Sequence, residues 1–156
     1  MADLVLTITE SITLNNKDHG GTMSKTMTGI NNIYKRIVTV PNGVDTTVAS
    51  FKSTVGVADS SMDIQNVKYI RVTNLDGTNP VNLSLQVDAG GDDSAADASC
   101  TILVTAGKSF IMGTPHEGIH VDDDAATVIT SLVDLESIII DSSSNDVDVE
   151  VLIASA

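Results

Sequence analysis

The chain of 156 residues contains no tryptophan, two tyrosines and two phenylalanines. Sugar-binding platforms lean on aromatic faces, so this scarcity argues against a carbohydrate receptor module and against glycoside hydrolysis by paired carboxylates. A single cysteine, Cys100, excludes an intramolecular disulfide framework. Eight Lys and Arg stand against 21 Asp and Glu, a net charge of −13. Such a surface repels phosphate backbones, and no nucleic-acid partner is expected. No apolar run approaches the roughly 18 residues of a membrane-spanning helix, and the opening MADLVLTITE lacks the basic start of a signal peptide. No membrane partner is expected either.

Chemical motifs are equally sparse. No G-x-S-x-G elbow accompanies the three histidines, and Cys100 lies in an alternating strand, where a buried structural thiol is expected. A small hydrolase built on His116 or His120 is a third alternative. The His116 and His120 spacing, with Glu117 and Asp122 to Asp124 nearby, occurs in zinc sites. Without a second ligand cluster these are expected to be exposed loop histidines. The acidic pairs Asp92-Asp93 and Asp122-Asp123-Asp124 lack calcium-loop spacing and read as solvated loops. Gly20-Gly21 and Gly90-Gly91 lack the strand, loop and helix context of a phosphate cradle and read as turns. The expectation is a protein that is not an enzyme and that uses no cofactor or metal.

What the chain does contain is alternation. In Val67 to Val87, VKYIRVTNLDGTNPVNLSLQV, two alternating runs meet at Asp76-Gly77, the signal of a β-hairpin. Leu4, Leu6, Ile8, Ile12 and Leu14 share one parity and predict a first strand interrupted near Glu10, before a polar turn at Asn15 to Gly21. Further strands are predicted over Ser24 to Ile30, Ile33 to Val40, Thr46 to Ser53, Cys100 to Thr105 and Lys108 to Met112. Leu135 to Ile140 and Val147 to Ile153 read as a closing hairpin around the SSSND turn, and Ala125 to Leu132 fits a short helix or a strand. Eight to ten short strands with turn signals about every ten residues predict an all-β fold: one antiparallel β-sandwich domain, jelly-roll-like, over residues 1–156. Val81, Leu83, Leu85 and Val87, with Val147, Val149, Val151 and Ile153, are predicted to point into its core.

The segments TITESITLNN, RIVTVPNGVDTTVASF, KYIRVTNLDGTNPVNLSLQV and ILVTAGKSFIM resemble those of small virion structural proteins of tailed bacteriophages, marine and cyanobacterial phages among them. The likeness runs from Leu4 to Met112. It implies a non-enzymatic virion component, a capsid decoration or cement protein that binds the outside of the shell as a homo-oligomer, with a trimer expected. The major capsid protein or another virion protein would be its partner, and a tail or fibre component is the alternative. No active-site residues come with the resemblance.

Charge is distributed unevenly along the chain. Up to Val87, seven Lys or Arg balance seven acids, while beyond it fourteen acids face Lys108 alone. Burying unpaired carboxylates is costly, and arginine pairs well with acidic neighbours. Lys35, Arg36, Lys52, Lys68 and Arg71 are therefore the expected docking residues, with the acidic segments 90–97 and 120–124 turned to solvent.

Overall fold

The computed structural model describes residues 1–56, 60–87, 98–122 and 127–156. Two sheets carry the body. One contains β5 (Asn32–Val40), β8 (Val67–Asn74), β11 (Ser109–Met112) and β13 (Val147–Ser155), in the order β11-β8-β13-β5. The other contains β6 (Thr46–Lys52), β7 (Met62–Asp63), β9 (Val81–Val87), β10 (Ala98–Val104) and β12 (Leu135–Asp141), in the order β10-β9-β12-β6-β7. Pairing in both is antiparallel except for the short contact of β6 with β7. Among the described residues, eight body strands are longer than two residues and can be numbered in chain order. One sheet then runs first-eighth-third-sixth and the other second-seventh-fourth-fifth, the double Greek key of a jelly roll.

The predicted core is the observed one. Val81, Leu83, Leu85 and Val87 from β9 face Val147, Val149, Val151 and Ile153 from β13, and all eight are buried. Phe51, Ile64, Ile70, Val72, Leu135, Ile138 and Ile140 complete the same layer. Two polar residues are fully buried among the described ones, Ser142 and Asn74, the latter at the end of β8. Its side-chain amide donates to the carbonyls of Asn79 (2.9 Å) and Val104 (3.1 Å), and its carbonyl accepts from the Asp76 N–H (2.9 Å). Buried groups left without partners cost more than a hydrogen bond returns. Asn74→Ala is therefore expected to lower stability by about 2–3 kcal/mol, read as a shift of the urea midpoint; a shift equivalent to under about 0.5 kcal/mol would contradict this role.

The strand partners differ from those expected. Val67 to Val87 is not a hairpin: β8 pairs with β11 and β13, whereas β9 pairs with β10 and β12 in the opposite sheet. The Asp76 corner is an inter-sheet crossing. Gly77 is not at positive φ, and the Asp76 carboxylate closes the bend by accepting from the backbone N–H groups of Thr78 and Asn79, each at 2.6 Å. The SSSND turn likewise joins β12 and β13 across the sandwich, so the expected closing hairpin is also a corner. Sandwich corners and hairpins both place a turn between alternating runs, which is why the pattern did not separate them. Of the predicted segment 125–132, the described residues 127–132 form neither helix nor strand, and Val128 in it is 89% exposed.

Residues 2–30 pair only with one another and join neither sheet of the sandwich. β1 (Ala2–Glu10) pairs with β4 (Gly21–Ile30), and β2 (Thr13–Leu14) with β3 (Lys17–Asp18), forming a two-stranded ribbon outside both sheets. The register is constant along it: Leu4 faces Met27, Leu6 Lys25, Ile8 Met23 and Leu14 Lys17. Asn15 (φ 53) and Asn16 (φ 60) close the tip, the two positive φ angles of a type I′ turn. At the root the register shifts between Ala2 and Leu4, near Gly29 at φ 77, the mark of a bulge. At Gly20 an added Cβ would sit 2.2 Å from the Glu10 carbonyl oxygen, so the two strands approach closely where the ladder is interrupted.

Candidate interaction site: the projecting arm and the outer sheet face

Because the ribbon is pleated, its two faces differ. One presents Thr7 opposite Ser24 and Thr9 opposite Thr22, with hydroxyl separations of 3.2 and 3.4 Å. The other presents Leu4, Leu6, Ile8, Ile12 and Leu14 along the outgoing arm, with Glu10 between Ile8 and Ile12 and with Met27, Lys25, Met23 and Lys17 on the returning arm. At the root this apolar stripe is covered. Leu4, Leu6 and Met27 pack with Ile30 on Tyr69, Leu152 and Ala154, which lie on the outer face of the β5–β13–β8 sheet.

Beyond the root no described residue covers the same stripe. Ile8 is 38% exposed, Ile12 55%, Leu14 57% and Met23 58%. A two-stranded ribbon is at best marginally stable in water by itself, and its two free edges and apolar face are the features that recruit another chain. At about 3.3 Å per residue, the uncovered part reaches up to roughly 30 Å from the body.

The outer face of the four-stranded sheet carries the remaining features. Across it, Lys35 Nζ lies 3.1 Å from Glu150 Oε2, and Arg71 donates to Glu150 Oε1. The Lys35 hydrogen bond, with the charge of Lys35 and then of Arg71, holds the Glu150 carboxyl below its ordinary value of 4.5. Backbone N–H donors from Asn79 and then Thr78 likewise hold Asp76 below 3.8. A carboxyl depressed in the folded state stabilises above its unfolded pKa, and that contribution is lost as pH falls through the lower folded value. Stability is therefore expected to decline as pH falls from about 5 to below 4. Glu150→Gln should flatten part of that decline, checked by melting temperature against pH for the two chains. Identical slopes would show that the Glu150 pairing is without effect.

Of the five expected docking residues, the fold brings Lys35 and Arg71 together through Glu150. Arg36, next in sequence to Lys35, points to the other side of β5, its guanidinium 5.1 Å from the Tyr34 ring centre. Lys52 ends β6 in the other sheet, opposite Asp63. Lys68 is exposed at the register shift near the start of β8. The five thus occupy several surfaces. Each sheet also draws strands from both sequence halves, so the neutral and acidic halves do not become two faces. Of the acidic segments, 90–97 and Asp123-Asp124 lie outside the described residues, as do Gly90-Gly91 and Asp92-Asp93.

The remaining candidates are structural in their surroundings. His116, expected to be exposed, is half-buried, with Nδ1 2.8 Å from Asp134 Oδ1, and the same oxygen accepts the Glu117 N–H at 2.6 Å. His120 is half-buried as well. Among the described residues no group of three or more His, Cys, Asp or Glu is placed to hold a metal. Cys100 is half-buried instead of fully so, because its strand β10 is the sheet edge and its inward side is only partly covered. The arm was missed as a site at the level of sequence, although its shared parity was visible: parity marks a face but does not say that the face will stay open. No protein-family model, curated protein or solved structure matches the chain.

Proposed function

We propose that this chain is a non-enzymatic structural protein of a tailed-phage particle, a decoration or cement protein bound to the outside of the capsid shell as a homo-oligomer. The observation that supports it is the arm: a ribbon whose apolar stripe is covered by its own body at the root and open beyond it. A permanent open stripe of this kind belongs to a protein that functions bound to other protein surfaces. The jelly-roll topology agrees with a particle component, as a likeness of architecture, since that fold recurs in viral capsid proteins and in unrelated lectins. Its partner would be the major capsid protein or another virion protein. Repetition of modest contacts over a symmetric shell would give an avidity about 10² to 10⁴ above that of one contact.

The test is to add the purified protein to shells lacking it and to count copies in complete particles by quantitative mass spectrometry. Saturable binding with hundreds of copies per particle is expected. A handful of copies would favour the tail or fibre alternative, and absence from particles would end the virion reading.

A further inference from the structure

We propose that the occupant of the open arm is a second copy of this chain, and that the arm seats on the outer sheet face around Ile37 and Leu75. This deepens the reading above by naming the contact through which copies join, and it rests on that reading only in treating the chain as an assembling protein.

Three observations carry it. First, the arm already shows what its stripe packs on. Its root covers Tyr69, Leu152 and Ala154 on the outer face of the four-stranded sheet, and the uncovered part of that face still presents Ile37 (63% exposed) and Leu75 (46%). The distal stripe of Ile8, Ile12, Leu14 and Met23 continues the buried one in the same register.

Second, charge is complementary. Residues 1–30 hold two lysines and three acids, a net −1, whereas residues 31–156 hold six cations and eighteen acids, a net −12. Bodies of that charge repel each other, so copies join more readily through a near-neutral element. Lys17 and Lys25 stand on the apolar face of the arm, opposite Leu14 and Leu6, and outnumber Glu10, which lies on the same face opposite Gly21. The shallow concavity that contains Ile37 and Leu75 is rimmed by Asp76, Asp146 and Asp148.

Third, the two surfaces lie at opposite ends of one sheet. The root sits where Ala154 pairs with Tyr69 and Ile33; the acid-rimmed patch starts where Ile37 pairs with Glu150 and ends where the Leu75 N–H bonds to the Asp148 carbonyl and Thr39 pairs with Asp148, with the rung of Lys35, Leu152 and Arg71 between the two. A chain with its arm at one end and the receiving patch at the other joins head to tail, and such contacts close into rings when the rotation allows.

The experiment uses the purified full-length chain in light scattering coupled to gel filtration, with two exposed-site variants. One is Ile8→Asp with Met23→Asp on the arm; the other is Ile37→Asp with Leu75→Asp on the patch. Circular dichroism and melting temperature verify that each remains folded. The wild type is expected to form a closed oligomer, and each variant to be monomeric. An equimolar mixture should form a dimer of one chain of each kind, since it retains one intact arm facing one intact patch. Carbodiimide cross-linking of mixed light and heavy isotope-labelled wild type should join Lys17 or Lys25 of one copy to Asp146 or Asp148 of another. A wild type that stays monomeric at high concentration, variants that keep the wild-type size, or a mixture that stays monomeric would each overturn the contact. A chain that self-associates in this way but ignores shells would remove the virion reading and leave the contact standing. A monomeric chain that binds shells would do the reverse.

Discussion

Replacing residues 7–24 by Asn-Gly, so that Leu6 and Lys25 flank a two-residue turn, is expected to leave the sandwich folded and to reduce shell occupancy by a factor of about 10² or more. The folded body should survive because the excised ribbon adds no buried residue to either hydrophobic cluster. The root residues Leu4, Leu6 and Met27, which cover Tyr69 and Ala154, are kept. The melting temperature should therefore move by only a few degrees, since surface changes away from packed features usually cost within about 0.5 kcal/mol. Binding should collapse because every contact made through the open stripe is lost at once, and avidity multiplies the loss over the particle. Occupancy is read by densitometry of shells recovered after incubation with each chain. Undiminished binding by the shortened chain would show that the arm has no part in attachment.

Phe51→Ala is expected to cost about 3–5 kcal/mol, the largest loss of stability predicted for a single substitution in this chain. Phe51 is 1% exposed in β6 and belongs to the main core cluster with Ile64 and Ile140. In a chain so poor in aromatic residues it supplies a large share of the volume at that end of the core. Removing the ring leaves a cavity that β-strands on both sides cannot close without breaking their ladders. A domain of this kind has a total stability of about 5–15 kcal/mol, so the variant should melt roughly 10 °C lower or not fold at 37 °C. Leu103→Ala is the matched control: Leu103 is 60% exposed on the outer face of β10 and should cost at most about 0.5 kcal/mol. Denaturant midpoints of the two variants test the contrast, and a Phe51→Ala midpoint close to that of Leu103→Ala would contradict it.

The sequence by itself determined the all-β class, the positions of most strands and the identity of the core side chains. Those properties are local. Alternation in Val81 to Val87 and in Val147 to Ile153 commits every second side chain to one face, and a slip of one residue would expose the whole set. Turn chemistry was legible as punctuation at Asp76 and Ser142 to Asp146, whereas the polar turn expected over Asn15 to Gly21 contracts to Asn15-Asn16, because Lys17-Asp18 and Gly21, the latter expected in a turn with Gly20, are taken up in strands of the ribbon. What only the tertiary structure decided was which strand lies beside which. A hairpin and an inter-sheet corner carry the same alternating runs around the same kind of turn, and β8 and β9 separate because packing two sheets over one core favours pairings from distant parts of the chain. The basic residues illustrate the same limit. Lys35 and Arg36 are neighbours in sequence but point to opposite sides of β5, while Lys35 and Arg71, far apart in sequence, meet at Glu150. The arm is the sharpest case. Leu4 to Leu14 announces an apolar face as clearly as any core strand, yet its root is covered by Tyr69 and Ala154 and its outer half by nothing among the described residues. Hydrophobic periodicity states that a face favours burial, whereas the molecule that buries it is chosen by geometry beyond the reach of local pattern.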